Sequence, residues 1–491
     1  MNYVGTARPI HDAKGKATGY TKYAGDLSLP NMAYLCMLHS KIPHGYVKAV
    51  HAEKALALPG VYGVYHCLNT TDRKYNRYHS NFDQAYLPNE ECAFNDYVRF
   101  VGDKIGVVAA CDQETAERAA RLVEVEYEEL PFSIGFDDTL AGKNCLEGET
   151  PVRDEYTLEV GKKQESTEGL IEVCSTMELP RLHHATMETH ACIADYDPYI
   201  DMLTVYCPNQ AVHGIRTVLA DYLEMPESHV RVIKATMGGS FGAKQEWFLE
   251  PVAALVAKKL CCPVKLVYSR GEAMTDTIVR GAMRMSARGY YTPDGEMKEI
   301  YCDVTLDAGA YIGNAGDYIR ALAGKPTRCY RIPYMHYHGQ VISSNSPVSG
   351  AFRSWSAAEE ALMMERQIDA AAEKLGIDRL TIRLKNVAHA GEEDKKLHLS
   401  LEDIRIGDAI TLGSEKFGWD KLKAEDAAFN ASQQRYRRGV GVGIGGHGNT
   451  YFPRFNDYGE GSISLNADGS MQANFTLHDH GCGTVTAMRM I

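Results

Sequence analysis

The chain lacks the patterns that would place it in several common classes. Its longest clean apolar run, Val252–Ala257, is far too short to cross a bilayer, and the start Met-Asn-Tyr-Val-Gly-Thr-Ala-Arg has no apolar signal-peptide core. No block of Lys or Arg stands out, and 52 basic against 64 acidic residues leave a net charge of −12. That balance speaks against nucleic acid or an anionic membrane surface as a partner. The 13 cysteines include no C-x₂-C pair and no ferredoxin spacing; Cys261-Cys262 is the one adjacent pair. A zinc ribbon or an iron–sulfur cluster held by this chain is therefore not expected. An odd count without a signal peptide fits reduced, buried thiols and a cytoplasmic protein. A P-loop, a dinucleotide fingerprint after a strand and an H-E-x-x-H pair are also missing, which removes the nicotinamide dehydrogenases and the simplest zinc hydrolases.

What is present is a globular composition, 45% apolar and 24% charged over 491 residues, long enough for two or three domains. Residues 1–135 read as an α/β unit. Asp103–Cys111 is a buried strand candidate, Asp112 can cap a helix carrying Ala116, Ala119, Ala120 and Val123, and Val123 to Glu128 alternates as a half-buried strand. Residues 136–165 are polar and mixed and read as a linker. A larger α+β unit over 166–395 contains a helix with Ile215, Val218, Leu219 and Tyr222, and a hairpin turning at Pro293-Asp294-Gly295. A long helix there is expected to face the core with Leu362, Glu365, Ile368, Ala372 and Leu375. Residues 396–491 open polar and turn β-rich at Gly439. Alternating glycines from Gly439 to Gly446 read as a strand packed closely on a neighbour, and Ser462–Leu465 pairs with Met471–Leu477 around Asn466–Gly469.

The most informative stretch is Gly238-Gly-Ser-Phe-Gly-Ala-Lys-Gln245, between the apolar run His229–Ala235 and a helical pattern with Val252, Leu255, Val256 and Leu260. Glycines there let backbone approach a ligand and present N–H groups to an anion, although an ordinary strand–helix turn would look the same. A second loop, Ser344 to Arg353, also enters a long helix. Two such loops imply one large anionic cofactor that is not a nucleotide.

This pair resembles the molybdopterin-binding subunit of the xanthine dehydrogenase and aldehyde oxidase family. The first family loop, Gly-Gly-x-Phe-Gly-x-Lys, is matched by 238–244 at every fixed position. In the second, Ala351-Phe352-Arg353 match and Trp355 holds an aromatic place, while Ser354, Ser356, Ala358 and Glu359 stand where Gly, Gly, Pro and Gln are usual. Leu375-Gly-Ile-Asp378 and Ile382-Arg-Leu-Lys-Asn386 add to the likeness. It implies an α+β fold: a hammerhead domain over 1–135, a first molybdopterin-binding domain over 166–395, and the start of a second over 396–491, cut short. It further implies oxidative hydroxylation of an N-heteroaromatic such as a purine, or of an aldehyde, with water as oxygen source. Electrons would leave through an iron–sulfur (2Fe-2S) subunit and an FAD-binding subunit, and a chain carrying the remaining C-terminal half, with the catalytic base, is a further candidate partner.

Through the same resemblance, Gln210, Gly239, Phe241, Gly242, Arg353, Gly481 and Gly483 are expected to contact the molybdenum cofactor, with Phe241 and Arg353 nearest the metal. Gln245, Arg320 and Trp355 are expected to meet substrate: Gln245 by a neutral amide, Arg320 by its charge, Trp355 by its ring face. Arg320 could equally be an ion-pair residue and Trp355 a core residue. No catalytic residue is assigned. Leu182 replaces a pocket glutamine and Cys482 another. His183, His184, Glu188 and His190, and likewise His478, Asp479, His480 and Cys482, bring metal-ligand types together without a recognised spacing. Two readings stay open: a molybdenum hydroxylase component, or a truncated or diverged member that keeps the fold without cofactor.

Overall fold

The computed structural model describes every residue except 1–2, 79–87, 145, 147, 149, 433–434, 448–458 and 478. Two sheets carry the core. The larger has seven strands in the order Val230–Lys234, Met202–Cys207, Ala191–Asp197, Val264–Val267, Ala33–His39, Lys104–Ala110 and Val61–His66. It mixes parallel and antiparallel pairs; Ala33–His39 runs parallel to Val264–Val267 and antiparallel to Lys104–Ala110. Lys104–Ala110 is buried at every position, as its unbroken apolar run requires of a strand flanked on both edges and both faces. The helix Glu250–Leu260, apolar nearly all round, is sunk into the same core with Trp247 and Phe248.

The second sheet has five strands, Val152–Gly161, Tyr334–Ser343, Met297–Gly309, Ala282–Tyr291 and Ile171–Leu179. The helices Ala315–Ala323 and Ala357–Leu375 pack on it. A small three-stranded sheet, Tyr97–Val98, Gly45–His51 and Glu124–Glu129, completes the N-terminal region. The architecture is α+β, and among the described residues no helix is long and apolar enough to cross a membrane.

One sheet runs across the expected boundary at 135: three N-terminal strands extend the sheet built by 191–267. Other expectations need correction. Residues 136–165 hold the short helix Phe136–Leu140 and the strand Val152–Gly161, nine of whose residues pair with Tyr334–Ser343 in a register shifted once; Tyr156, Leu158 and Val160 alternate there with the exposed Glu155, Thr157 and Glu159. The long helix buries Met363, Met364, Gln367, Ile368, Ala371 and Ala372, so its core face is rotated from the one expected, and Leu362 is exposed. Gly439–Gly446 forms no strand, although it does lie close: a Cβ on Gly446 would stand 2.6 Å from Cys329 Sγ. The hairpin Gly461–Leu465 with Met471–Phe475 forms as expected, but every residue of it is exposed.

Candidate functional site

The strand Val230–Lys234 ends five residues before Gly239, and the helix Glu250–Leu260 starts only after a further stretch of turns, so the glycine loop stands free of both elements. Gly239, Phe241 and Gly242 all have positive φ, at 97°, 54° and 103°. Phe241 pays local strain for this as a bulky residue. The turn leaves the amides of Gly239, Ser240 and Phe241, three consecutive donors, without an acceptor among the described residues. Such a run of backbone N–H groups is suited to an anion.

Buried side chains hold the loop from behind. Glu188 Oε2 accepts from Gly238 N and from Lys244 Nζ, both at 2.6 Å. Burial lowers the Lys244 pKa, and the Glu188 carboxylate opposes that shift. His190 Nε2 donates to Ala243 O at 2.9 Å, and Ser240 donates to Gln210 Oε1 while Gln210 N donates to Lys244 O. The second loop is joined directly to the first. Arg353 N donates to Phe241 O at 2.7 Å, and a Cβ on Gly242 would stand 2.5 Å from Ala351 O. Only glycine permits that approach. His184 Nε2 donates to Ala351 O at 2.8 Å and stacks on Phe352 with ring centroids 4.2 Å apart.

Both imidazoles donate from Nε2 to carbonyls and bury Nδ1 without a partner among the described residues, which suits the neutral Nε2–H tautomer. Burial pushes His184 down to about 4 and His190 down to about 3. With His183 bonded to Ala273 O and Thr277, these residues are braces for two loops. Among the described residues no group of three or more His, Cys, Asp or Glu could hold a metal ion. Of the other candidate metal group, His478 lies outside the described residues.

The structure thus brings Gln210, Gly239, Phe241, Gly242 and Arg353 into one neighbourhood. Gln245 follows Lys244 half-buried, and neither its side-chain amide nor the exposed Arg353 guanidinium has a hydrogen-bond partner among the described residues. Arg320 and Trp355 are engaged elsewhere. Arg320 makes a two-pronged pair with Asp154 on the strand Val152–Gly161, with Nη2 to Oδ1 at 3.0 Å, and lies over the Tyr156 ring; its helix turns it toward that strand. Trp355 packs against the core, edge-on to Tyr318 at 5.7 Å. Gly481 and Gly483 have positive φ, but their amides are already given to Asp479 Oδ1 at 2.8 and 3.3 Å. Burial would raise Asp479, yet these backbone donors outweigh it and hold the carboxyl below its usual value. That loop meets this neighbourhood through Lys234 Nζ, which donates to Asp479 O at 2.5 Å.

The bracing residues were visible in the sequence only as metal-ligand types without a recognised spacing, and Glu246 only as the neighbour of Gln245. Among the described residues the donors left open fit an anionic cofactor: three backbone amides, the Arg353 guanidinium and the side-chain amides of Gln210 and Gln245, around Gly242, where only glycine fits.

Comparison with known proteins points the same way. A molybdopterin cofactor-binding domain model matches residues 149–387, an aldehyde oxidase and xanthine dehydrogenase a/b hammerhead domain matches 18–131, and a further molybdopterin cofactor-binding domain matches 412–491. The nicotinate dehydrogenase large molybdopterin subunit of Eubacterium barkeri is 31% identical over 384 residues, covering 77% of this chain and 88% of that protein. The xanthine dehydrogenase molybdenum-binding subunit of Escherichia coli O157:H7 is 29% identical over 490 residues, 97% of this chain and 63% of that one. The chain therefore spans slightly under two thirds of that relative's length. Quinoline 2-oxidoreductase from Pseudomonas putida 86 shares the fold, with a TM-score of 0.85 at 21% identity over 99% of this chain and 64% of that structure.

Proposed function

The chain belongs to the xanthine dehydrogenase and aldehyde oxidase family of molybdopterin-binding large subunits, and from that premise we propose that it forms part of the active site of a molybdenum hydroxylase acting on neutral N-heteroaromatics. The observation that carries this reading is the row of amides at Gly239, Ser240 and Phe241, beside the Gln245 amide and Arg353 guanidinium, all without a partner among the described residues. The molybdenum cofactor, when bound, supplies the two-electron oxidation that places an oxygen from water on an electron-poor carbon. The chain's residues supply position and charge. Gly239–Phe241 and Gln210 would hold the cofactor through their N–H donors, and Arg353 would balance its negative charge. Gln245 can donate to an unprotonated ring nitrogen or accept from a ring N–H, and it carries no charge of its own. That favours a neutral heterocycle over an acid. The relative named for quinoline, a neutral heterocycle, is in keeping with this substrate class, whereas the one named for nicotinate takes a heteroaromatic acid.

Electrons would pass to 2Fe-2S and FAD partner subunits, in keeping with the family to which the chain belongs. The described cysteines are all free thiols, which fits a cytoplasmic setting. The hairpin turns Ile463, Leu465, Met471, Ala473 and Phe475 to one uncovered face. An isolated hairpin of that kind calls for more polypeptide against it, from the same chain or a partner chain.

The test is the chain co-expressed with its iron–sulfur and flavin partners and with a chain supplying the C-terminal half that carries the base. Stoichiometric molybdenum and turnover of a purine or pyridine support the reading, and in that enzyme Gln245→Glu should shift kcat/KM toward oxygenated purines by roughly tenfold or more. Absence of molybdenum from that complex would favour the non-catalytic reading, for which Leu182, Cys482, Ser354 and Ser356 are the motive.

A further inference from the structure

Glu246 follows Gln245 directly, yet it points the other way, into the protein, and is 1% exposed. One oxygen, Oε1, accepts from two segments at once: Ala351 N in the second loop and Asn314 Nδ2 at the start of the helix Ala315–Ala323, each at 3.2 Å. Its backbone carbonyl accepts from Asn209 Nδ2 at 2.7 Å, beside Gln210. The approach is so close that a Cβ on Gly350 would stand 2.4 Å from Oε1. Ala351 is thereby fixed from both sides, its N–H by Glu246 and its carbonyl by His184. Two residues later comes Arg353, whose own N–H returns to Phe241.

We propose that Glu246 is a positioning residue of the cofactor site, setting the spacing between Gln245 and Arg353 by holding the Ala351 amide and Asn314 with a single carboxyl oxygen. The importance of this to the cofactor rests on the reading given under Proposed function; the clamp itself does not. Both bonds need an acceptor, and neither needs a negative charge. The second oxygen, Oε2, is buried without a partner among the described residues, which suits a carboxylic acid better than a carboxylate. Burial raises the group to about 8 against the opposing pull of Arg77 and the Ala351 amide, so the neutral acid prevails at physiological pH. Glutamine should therefore replace it, whereas aspartate, one methylene shorter, should fall short of both donors.

The experiment compares Glu246→Gln, Glu246→Asp and Glu246→Leu in the full chain co-expressed with its partners. It reads molybdenum per chain and hydrogen-exchange protection of the peptide spanning Ser349–Arg353. Glu246→Gln should stay within about twofold of the parent in both. Glu246→Asp and Glu246→Leu should lose roughly tenfold or more of that protection and most of the metal, with far-UV circular dichroism retained. If Glu246→Leu does not fold, Glu246→Asp decides. Native protection in Glu246→Asp, or a glutamine variant as damaged as the leucine one, overturns the proposal. If the parent complex holds no molybdenum, the functional reading fails, while the protection measurement still judges the clamp.

Discussion

Replacing Ser356 by glycine should make the protein more stable. Ser356 caps the long helix Ala357–Leu375 in the left-handed region, with φ of 58°, and is fully buried. From that conformation its hydroxyl makes no capping bond and has no partner among the described residues. Glycine would relieve about 1–2 kcal/mol of left-handed strain and remove an unmatched hydroxyl worth about 1–3 kcal/mol. Against this stands roughly 0.5–1 kcal/mol for the greater freedom of glycine in the unfolded chain. After allowance for a small lost volume, a net gain of about 1–2 kcal/mol is expected. Ser356→Ala separates the causes, because it removes the hydroxyl and keeps the strain. Ser354 has φ of 67° but is exposed, so Ser354→Gly should gain no more than about 1 kcal/mol, from strain alone. A chain with several cores need not unfold in one step. The gain should thus be read as hydrogen-exchange protection of the long helix as well as from the denaturation midpoint. If Ser356→Gly proved less stable than Ser356→Ala by more than the entropy of one glycine, the left-handed strain assigned here would be wrong.

Two further outcomes follow from the braces and ion pairs. His184 and His190 are held neutral in the folded chain, at about 4 and about 3, against a usual value of 6.5. Between 6.5 and those values the unfolded chain binds more protons. Stability should accordingly fall as pH drops through that range, by on the order of a few kcal/mol, and should be insensitive to these groups above it. His190→Gln should flatten the midpoint-versus-pH curve, and an unchanged slope would show that His190 is not the buried neutral group described. Arg320→Met should cost stability, about 1–3 kcal/mol, because it leaves the half-buried Asp154 carboxylate unpaired. A variant of native stability whose kcat/KM on heterocycles fell about 10²-fold would instead return Arg320 to the substrate pocket.

By itself the sequence determined the elements and the cofactor loop. Strand Lys104–Ala110, the Asp112-capped helix, the Tyr290–Ile300 hairpin and the helix Glu250–Leu260 are local patterns, and local periodicity with turn chemistry is enough to specify them. The Gly-Gly-x-Phe-Gly-x-Lys loop was equally legible, since glycine spacing reports where backbone must take positive φ. Partnership between distant segments was not. Nothing local announces that Ala33–His39 pairs with Val264–Val267, that Asp154 would claim Arg320 from 166 residues away, or that Asp479 would occupy the amides of Gly481 and Gly483. The four clustered acid and imidazole residues at 183–190 looked like metal ligands, because ligand and brace use the same side chains. Only the fold, by burying two imidazoles against the carbonyls of Ala243 and Ala351, made them neutral donors. A side chain's chemistry is written in the sequence, but its charge and its partner are set by the dielectric and the neighbours that the tertiary structure brings to it.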